Sequence, residues 1–103
     1  MTLTLFVPVL NEIEGLKLIM PQVPKHLFHQ ILIVDGGSKD GSLEWAQEQG
    51  FDTVLQKKKG LRYAYSEGFP AIKSEWVITF SPDGNCRPED LYVIVEKIKE
   101  GHW

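Results

Sequence analysis

Five consecutive apolar, β-branched or aromatic residues, Trp76-Val-Ile-Thr-Phe80, run directly into Ser81-Pro-Asp-Gly-Asn85. A continuous run of this kind reads as a strand buried on both faces, and Pro82 with Gly84 stops it abruptly. Asp83 is thereby placed just past the carboxyl end of a strand, the rim where open α/β sheets bind their ligands. Asp-Gly is also an ordinary turn pair. The functional reading therefore needs support from the rest of the chain.

That support comes from repetition. Leu3, Leu5 and Val7 alternate with Thr2, Thr4 and Phe6, a short first strand closed by Pro8. Asn11 is placed to cap a helix carrying Glu12 and Glu14 in its first turn, with Ile13, Leu16 and Met20 as its apolar stripe and Pro21 and Pro24 beyond. Ile31 to Val34 is a second buried strand, stopped by Asp35-Gly-Gly-Ser38. Asp40 suits the cap of a second helix with Leu43 and Ala46 inward, and Gly50 suits its C′ position. Thr53 to Leu55 is a brief third strand. The basic loop Lys57 to Gly60 leads into a helix from about Leu61 to Ile72, within which Pro70 falls. Pro88-Glu-Asp opens a last helix with Leu91, Ile94, Val95 and Ile98 on one face, finished by Gly101.

The order β-α-β-α-β-α-β-α, with strands two and four buried rather than alternating, specifies a three-layer α/β/α domain over residues 1–103. Its parallel sheet of about four strands is joined by right-handed crossovers, Rossmann-like in outline. In the order 3-2-1-4 the winding reverses between strands one and four, and a crevice opens there. Polar groups after strands one, two and four then meet on one rim: Pro8 to Glu12, Asp35 to Ser38, and Ser81 to Asp83.

Several ligand classes are excluded. The chain has 103 residues, 43% hydrophobic and 24% charged, with net charge −3, which lacks the basic footprint a nucleic-acid partner requires. No apolar run approaches membrane-spanning length, the start has no signal-peptide pattern, and a lone Cys86 fits a reducing, cytoplasmic setting. Strand one is not followed by G-x-G-x-x-G, and neither a P-loop nor a G-x-S-x-G elbow is present. An acidic, amide-rich rim with a basic loop beside it remains. Carboxylates near a phosphate ligand require a cation between them, and Mg2+ or Mn2+ commonly takes one or two carboxylates plus phosphate oxygens and water. Asp83 is the candidate metal ligand, Lys59 or Arg62 the candidate diphosphate partner, and Asp35 an acceptor for a base or ribose. The plainer readings stand beside these: the lysine run as a solvated loop, and Asn11 as a helix cap.

Taken in succession, Val7 to Glu12, Ile33 to Ser42, Lys59 to Gly68, and Phe80 to Asn85 with Pro88-Glu-Asp resemble the family 2 inverting glycosyltransferases of GT-A fold. The branch most similar is that of the polyprenyl-phosphate mannose or glucose synthases. The resemblance implies a site for a UDP- or GDP-sugar formed by Pro8, Val9, Asn11, Glu12, Asp35, Gly37, Arg62, Ser81 and Asp83, with the metal on Asp83. It also shows departures. The family's Asp-x-Asp reads Ser81-Pro82-Asp83 here, and its frequent Asp-Asp after strand two reads Asp35-Gly36. Members continue past the last helix with elements that bind the acceptor. The resemblance thus implies the donor-binding half of a truncated GT-A enzyme, inactive alone, that transfers a hexose to a lipid-phosphate or other acceptor. Two other readings compete with it. One is a non-catalytic remnant that pairs into a homodimer through an exposed sheet edge. The other is a phosphoacceptor-like domain using Asp35 or Asp83.

Overall fold

The structure, a computed structural model, describes residues 2–82 and 87–100. Asp83, Cys86 and the helix stop at Gly101 lie outside the described residues. Strands β1 (Leu3–Val9), β2 (Gln30–Asp35), β3 (Asp52–Leu55) and β4 (Trp76–Thr79) form one parallel sheet in the order β3-β2-β1-β4. Helices α1 (Ile13–Ile19), α2 (Ser42–Glu48), α3 (Leu61–Gly68) and α4 (Asp90–Lys99) fill the crossovers and the last segment. This is the expected three-layer arrangement. Leu3, Leu5, Val7 and Val9 pack with residues of α1, α2 and α4 on one face, while Phe6, Leu32 and Val34 pack with Ala64 of α3 on the other.

β1 is buried on both faces, Thr4 and Phe6 as completely as Leu5 and Val7, and it runs through Pro8 instead of closing there. Its central place in the sheet explains the first difference. The ladder explains the second. Val9 accepts from the Gly36 N–H on the β2 side (2.9 Å), whereas Phe6 accepts from Phe80 N–H on the β4 side (2.9 Å). Pro8 is in phase with Phe6, so its missing N–H falls on the β4 side. There it has nothing to give the next carbonyl, and the β1–β4 ladder stops. Pairing with β2 continues to Val9 and Asp35.

β4 departs from the buried strand expected. Ile78 is buried, but Val77 and Thr79 are exposed. The one described α-helix on their face, α3, lies over Phe6, Leu32 and Val34 and leaves the β4 side of the sheet uncovered. Gly68 lets α3 come that close. A Cβ there would lie 2.6 Å from a ring carbon of Phe6 and 2.8 Å from Val34 Cγ2. Phe6 also stacks on Tyr65 at 5.3 Å between ring centroids, and its full burial contributes roughly 1.5–3 kcal/mol.

The helix ends follow local chemistry with adjustments. Gly50 (φ 83°) closes α2 in a Schellman arrangement: its N–H donates to Gln47 O and that of Phe51 to Ala46 O. α1 tightens into a 3-10 turn at Met20–Gln22, and α3 into one at Phe69–Ala71 that accommodates Pro70. Asn11 is not the cap of α1. Glu12 holds that position, and Asn11 adopts a left-handed backbone with φ 52°. On α4, Leu91 and Val95 are buried, but Ile94 sits at the border of that stripe and is 41% exposed.

Candidate functional site

Two strand ends, those of β1 and β2, are stitched together by side chains that satisfy one another's backbone. Asp35 is fully buried; its Oδ2 accepts from the N–H groups of Gly37 (2.9 Å) and Ser38 (2.8 Å), which bends the chain sharply after β2. Gly37 takes φ 106°, a conformation that favours glycine. The folded-back loop then reaches the turn after β1. Ser38 Oγ accepts from Asn11 N–H (2.8 Å), and Asn11 Oδ1 accepts from Lys39 N–H (2.8 Å). Ser42 Oγ accepts from Glu12 N–H (3.1 Å), and Asp40 Oδ2 accepts from Ile13 N–H (3.0 Å). The first turn of α1 is thus capped by the loop after β2.

The third loop is tied down separately. The Gln56 Nε2 group donates to the carbonyls of Lys58 (3.0 Å) and Gly60 (3.1 Å). Glu67 on α3 accepts from the N–H groups of Lys57 (2.7 Å) and Lys58 (3.0 Å). Those backbone bonds, first from Lys57 and then from Lys58, hold the Glu67 carboxyl below its ordinary range.

Between these loops lies a cavity of about 440 Å³. The Pro8–Asn11 turn and Gly36–Gly37 form one side; Gln56, Lys59, Gly60 and Leu61 form the other, with Ala64 and Lys39 completing it. A second hollow, about 600 Å³, adjoins it through Asn11 and extends along the start of α1 to Pro82. α1 and the loop after β4 touch at Gly15, where a Cβ would collide with the Pro82 carbonyl oxygen.

The structure brings Pro8, Val9, Asn11 and Gly37 together on the first cavity, and Glu12 onto the second. Asp35 lies beneath them, and its Oδ1 is buried without a hydrogen-bond partner. Arg62 is exposed on α3, its guanidinium 4.8 Å from the centre of the Tyr63 ring and donating to the Tyr63 hydroxyl, and lines neither space. Ser81 is half-buried directly after β4. Asp83 falls outside the described residues, among which no group of three or more His, Cys, Asp and Glu is placed to hold a metal ion. Lys39, Gln56 and Glu67 were not singled out from the sequence. Gln56 had one signal, its place immediately after a strand; Glu67 had none, since it grips a loop about ten residues earlier in the chain.

Glycosyl transferase family 2 matches residues 4–102, and the chain belongs to that family. It is 28% identical over 96 residues to glycosyltransferase AglJ of Haloferax volcanii, covering 92% of this chain and 32% of that protein. It is 29% identical over 111 residues to the undecaprenyl-phosphate 4-deoxy-4-formamido-L-arabinose transferase of Pseudomonas savastanoi pv. phaseolicola, covering 96% of this chain and 33% of that protein. The chain spans about a third of the length of these curated relatives. Glucosyl-3-phosphoglycerate synthase from Mycobacterium tuberculosis, solved with Mn2+, UDP-glucose and glycerol 3-phosphate, superposes with a TM-score of 0.81 at 19% identity, over 94% of this chain and 39% of that one. S. aureus TarS in complex with UDP-GlcNAc gives 0.76 at 18% identity, over 99% and 32%. These likenesses show the fold, that of the GT-A glycosyltransferases. Among the described residues, no helix is long and apolar enough to cross a membrane.

Proposed function

We propose that this chain is the donor-binding part of a glycosyltransferase, holding a UDP- or GDP-sugar with Mg2+ or Mn2+ for transfer of a hexose to a lipid-phosphate or other acceptor in the cytoplasm. The observation that carries this reading is the 440 Å³ cavity on the carboxyl rim, with apolar Pro8, Val9, Leu61 and Ala64 and two lysines, Lys39 and Lys59, on one wall system. The apolar surface suits a base and the ammonium groups suit a diphosphate. In this reading Asp35 acts from below, by shaping the Gly36–Ser38 loop. Asp83 is the residue that would hold the metal, with a single carboxylate. The ion, when bound, neutralises charge on the leaving diphosphate. The chain's own residues orient the nucleoside and bring the sugar to the β4 side of the rim, where an acceptor oxygen must approach in line.

Thermal denaturation with UDP- and GDP-sugars, with and without Mn2+, tests this. A donor at about a hundred times its dissociation constant should add roughly 2.7 kcal/mol to stability. Asp83→Ala should remove the metal-dependent part and leave the melting temperature without ligand unchanged. No stabilisation by any donor would contradict the reading and favour a non-catalytic remnant of the same fold.

A further inference from the structure

The loop between β3 and α3 carries Lys57, Lys58, Lys59 and Arg62 in a chain whose net charge is −3. All four side chains are exposed, and β3 is an edge of the order β3-β2-β1-β4. The ion pairs among the described residues, Lys73 with Asp52 and Arg87 with Glu89, include none of the four. Glu67, the carboxylate bonded to this loop, accepts from the backbone N–H groups of Lys57 and Lys58. Lys59 lines the 440 Å³ cavity, but Lys57, Lys58 and Arg62 do not. Those three cations are left outside the site already described.

They stand among apolar and aromatic groups. Lys58 Nζ lies 5.3 Å and Arg62 Cζ 4.8 Å from the centre of the Tyr63 ring, and Arg62 donates to the Tyr63 hydroxyl at 2.8 Å. Leu55 shares a hollow with Lys57, Lys58 and Tyr63. Leu55 is 56% exposed and Leu61 63%, an arrangement unfavourable in water unless a partner covers it. Cations alone would suit any polyanion. Exposed leucines beside them suit a partner that is anionic at its surface and apolar just beneath, and a tyrosine suits the level between. An anionic bilayer has that layering, and it attracts basic clusters of this size.

We propose that this loop, through Leu55, Lys57, Lys58, Leu61, Arg62 and Tyr63, docks on an anionic lipid surface. Because Lys59, Gly60 and Leu61 of the same loop line the cavity, docking holds the carboxyl rim close to the bilayer. Co-sedimentation with mixed phosphatidylcholine–phosphatidylglycerol vesicles tests this, against vesicles of phosphatidylcholine alone. The chain should bind the mixed vesicles and not the neutral ones. Binding should fall as salt rises from about 0.1 to about 1 M, where the Debye length shortens from about 10 to about 3 Å. Lys57→Gln, Lys58→Gln and Arg62→Gln together should weaken it about a hundred-fold, about five-fold for each cation. Leu55→Ser should weaken it several-fold with the same salt dependence, and Lys97→Gln with Lys99→Gln on α4 should leave it unchanged. Should a variant not fold, spin-labelled lipid in the mixed vesicles serves with the unaltered 15N-labelled chain, and should broaden the amide signals of Leu55 to Tyr63 but not those of α4. Equal binding to both kinds of vesicle, no binding to either, or an unaffected triple variant would overturn the proposal. So would equally tight binding to soluble polyglutamate that the triple variant abolishes, which would assign the patch to an acidic protein. Vesicle binding is measured without nucleotide, so failure of every donor to bind would leave it standing.

Discussion

The carboxylate of Asp40, in the loop after β2, accepts the backbone N–H of Ile13 at 3.0 Å and so caps a helix that begins after β1. Its other oxygen accepts from the hydroxyl and the N–H of Ser42 (2.6 and 3.0 Å). Burial alone would raise the Asp40 pKa, but these bonds from Ser42 and Ile13 outweigh it and hold the group below its ordinary 3.8. Asp40→Ala should cost about 1 kcal/mol, the usual loss for a helix cap. Because the folded state has the lower pKa, the contribution is complete above 3.8 and is lost as pH falls below that value toward the folded one. Urea midpoints at about pH 6 and about pH 3 for the wild type and Asp40→Asn should show the wild type's advantage shrinking in acid. An advantage independent of pH would contradict this account of the cap.

Glu67 is expected to matter for binding more than for folding. It grips the N–H groups of Lys57 and Lys58 and so fixes the loop that brings Lys59 to the cavity. Glu67→Gln should raise the dissociation constant for a nucleoside diphosphate several-fold while shifting the melting temperature little. A large melting shift with unchanged affinity would make the clamp purely structural.

Gly15 sets how closely the loop after β4 lies over α1. Its replacement by alanine puts a methyl group into the Pro82 carbonyl, which must move. Gly15→Ala should therefore cost about 1–3 kcal/mol, as overpacking does, and should weaken metal-dependent stabilisation by a donor. The two effects are read from one set of melting curves with and without Mn2+ and donor. Wild-type behaviour in both would show that the contact does not position the segment leading to Asp83.

The ends of β2 and β4 were legible from the sequence because the apolar runs stop at residues that interrupt a strand, Gly36 and Pro82, and Gly50 marked the end of α2 in the same way. What escaped was long-range. Asn11 reads as a cap by composition, yet its amide oxygen serves Lys39, 28 residues away, and Asp40 caps a helix on the other side of a strand. Such bonds between side chains and distant backbone have no period to detect. Pro8 reads as a strand stop, but its missing N–H faces β4 alone, and that β1 has β2 on its other side to carry the pairing on to Val9 is a matter of sheet order that no local pattern shows. The exposure of Val77 and Thr79 likewise depends on where α3 lies, which no local pattern in β4 encodes.

The central claim is that the turns after β1, β2 and β3 form one nucleotide-binding surface, and a backbone amide titration tests it most directly. Spectra of the 15N-labelled chain with Mg2+ and increasing UDP-sugar or GDP-sugar should show saturable shifts concentrated at Val9, Leu10, Asn11, Gly36, Gly37, Lys39, Gln56 and Gly60. Shifts confined to α4 or to the exposed side of β4, or none with either donor, would contradict it.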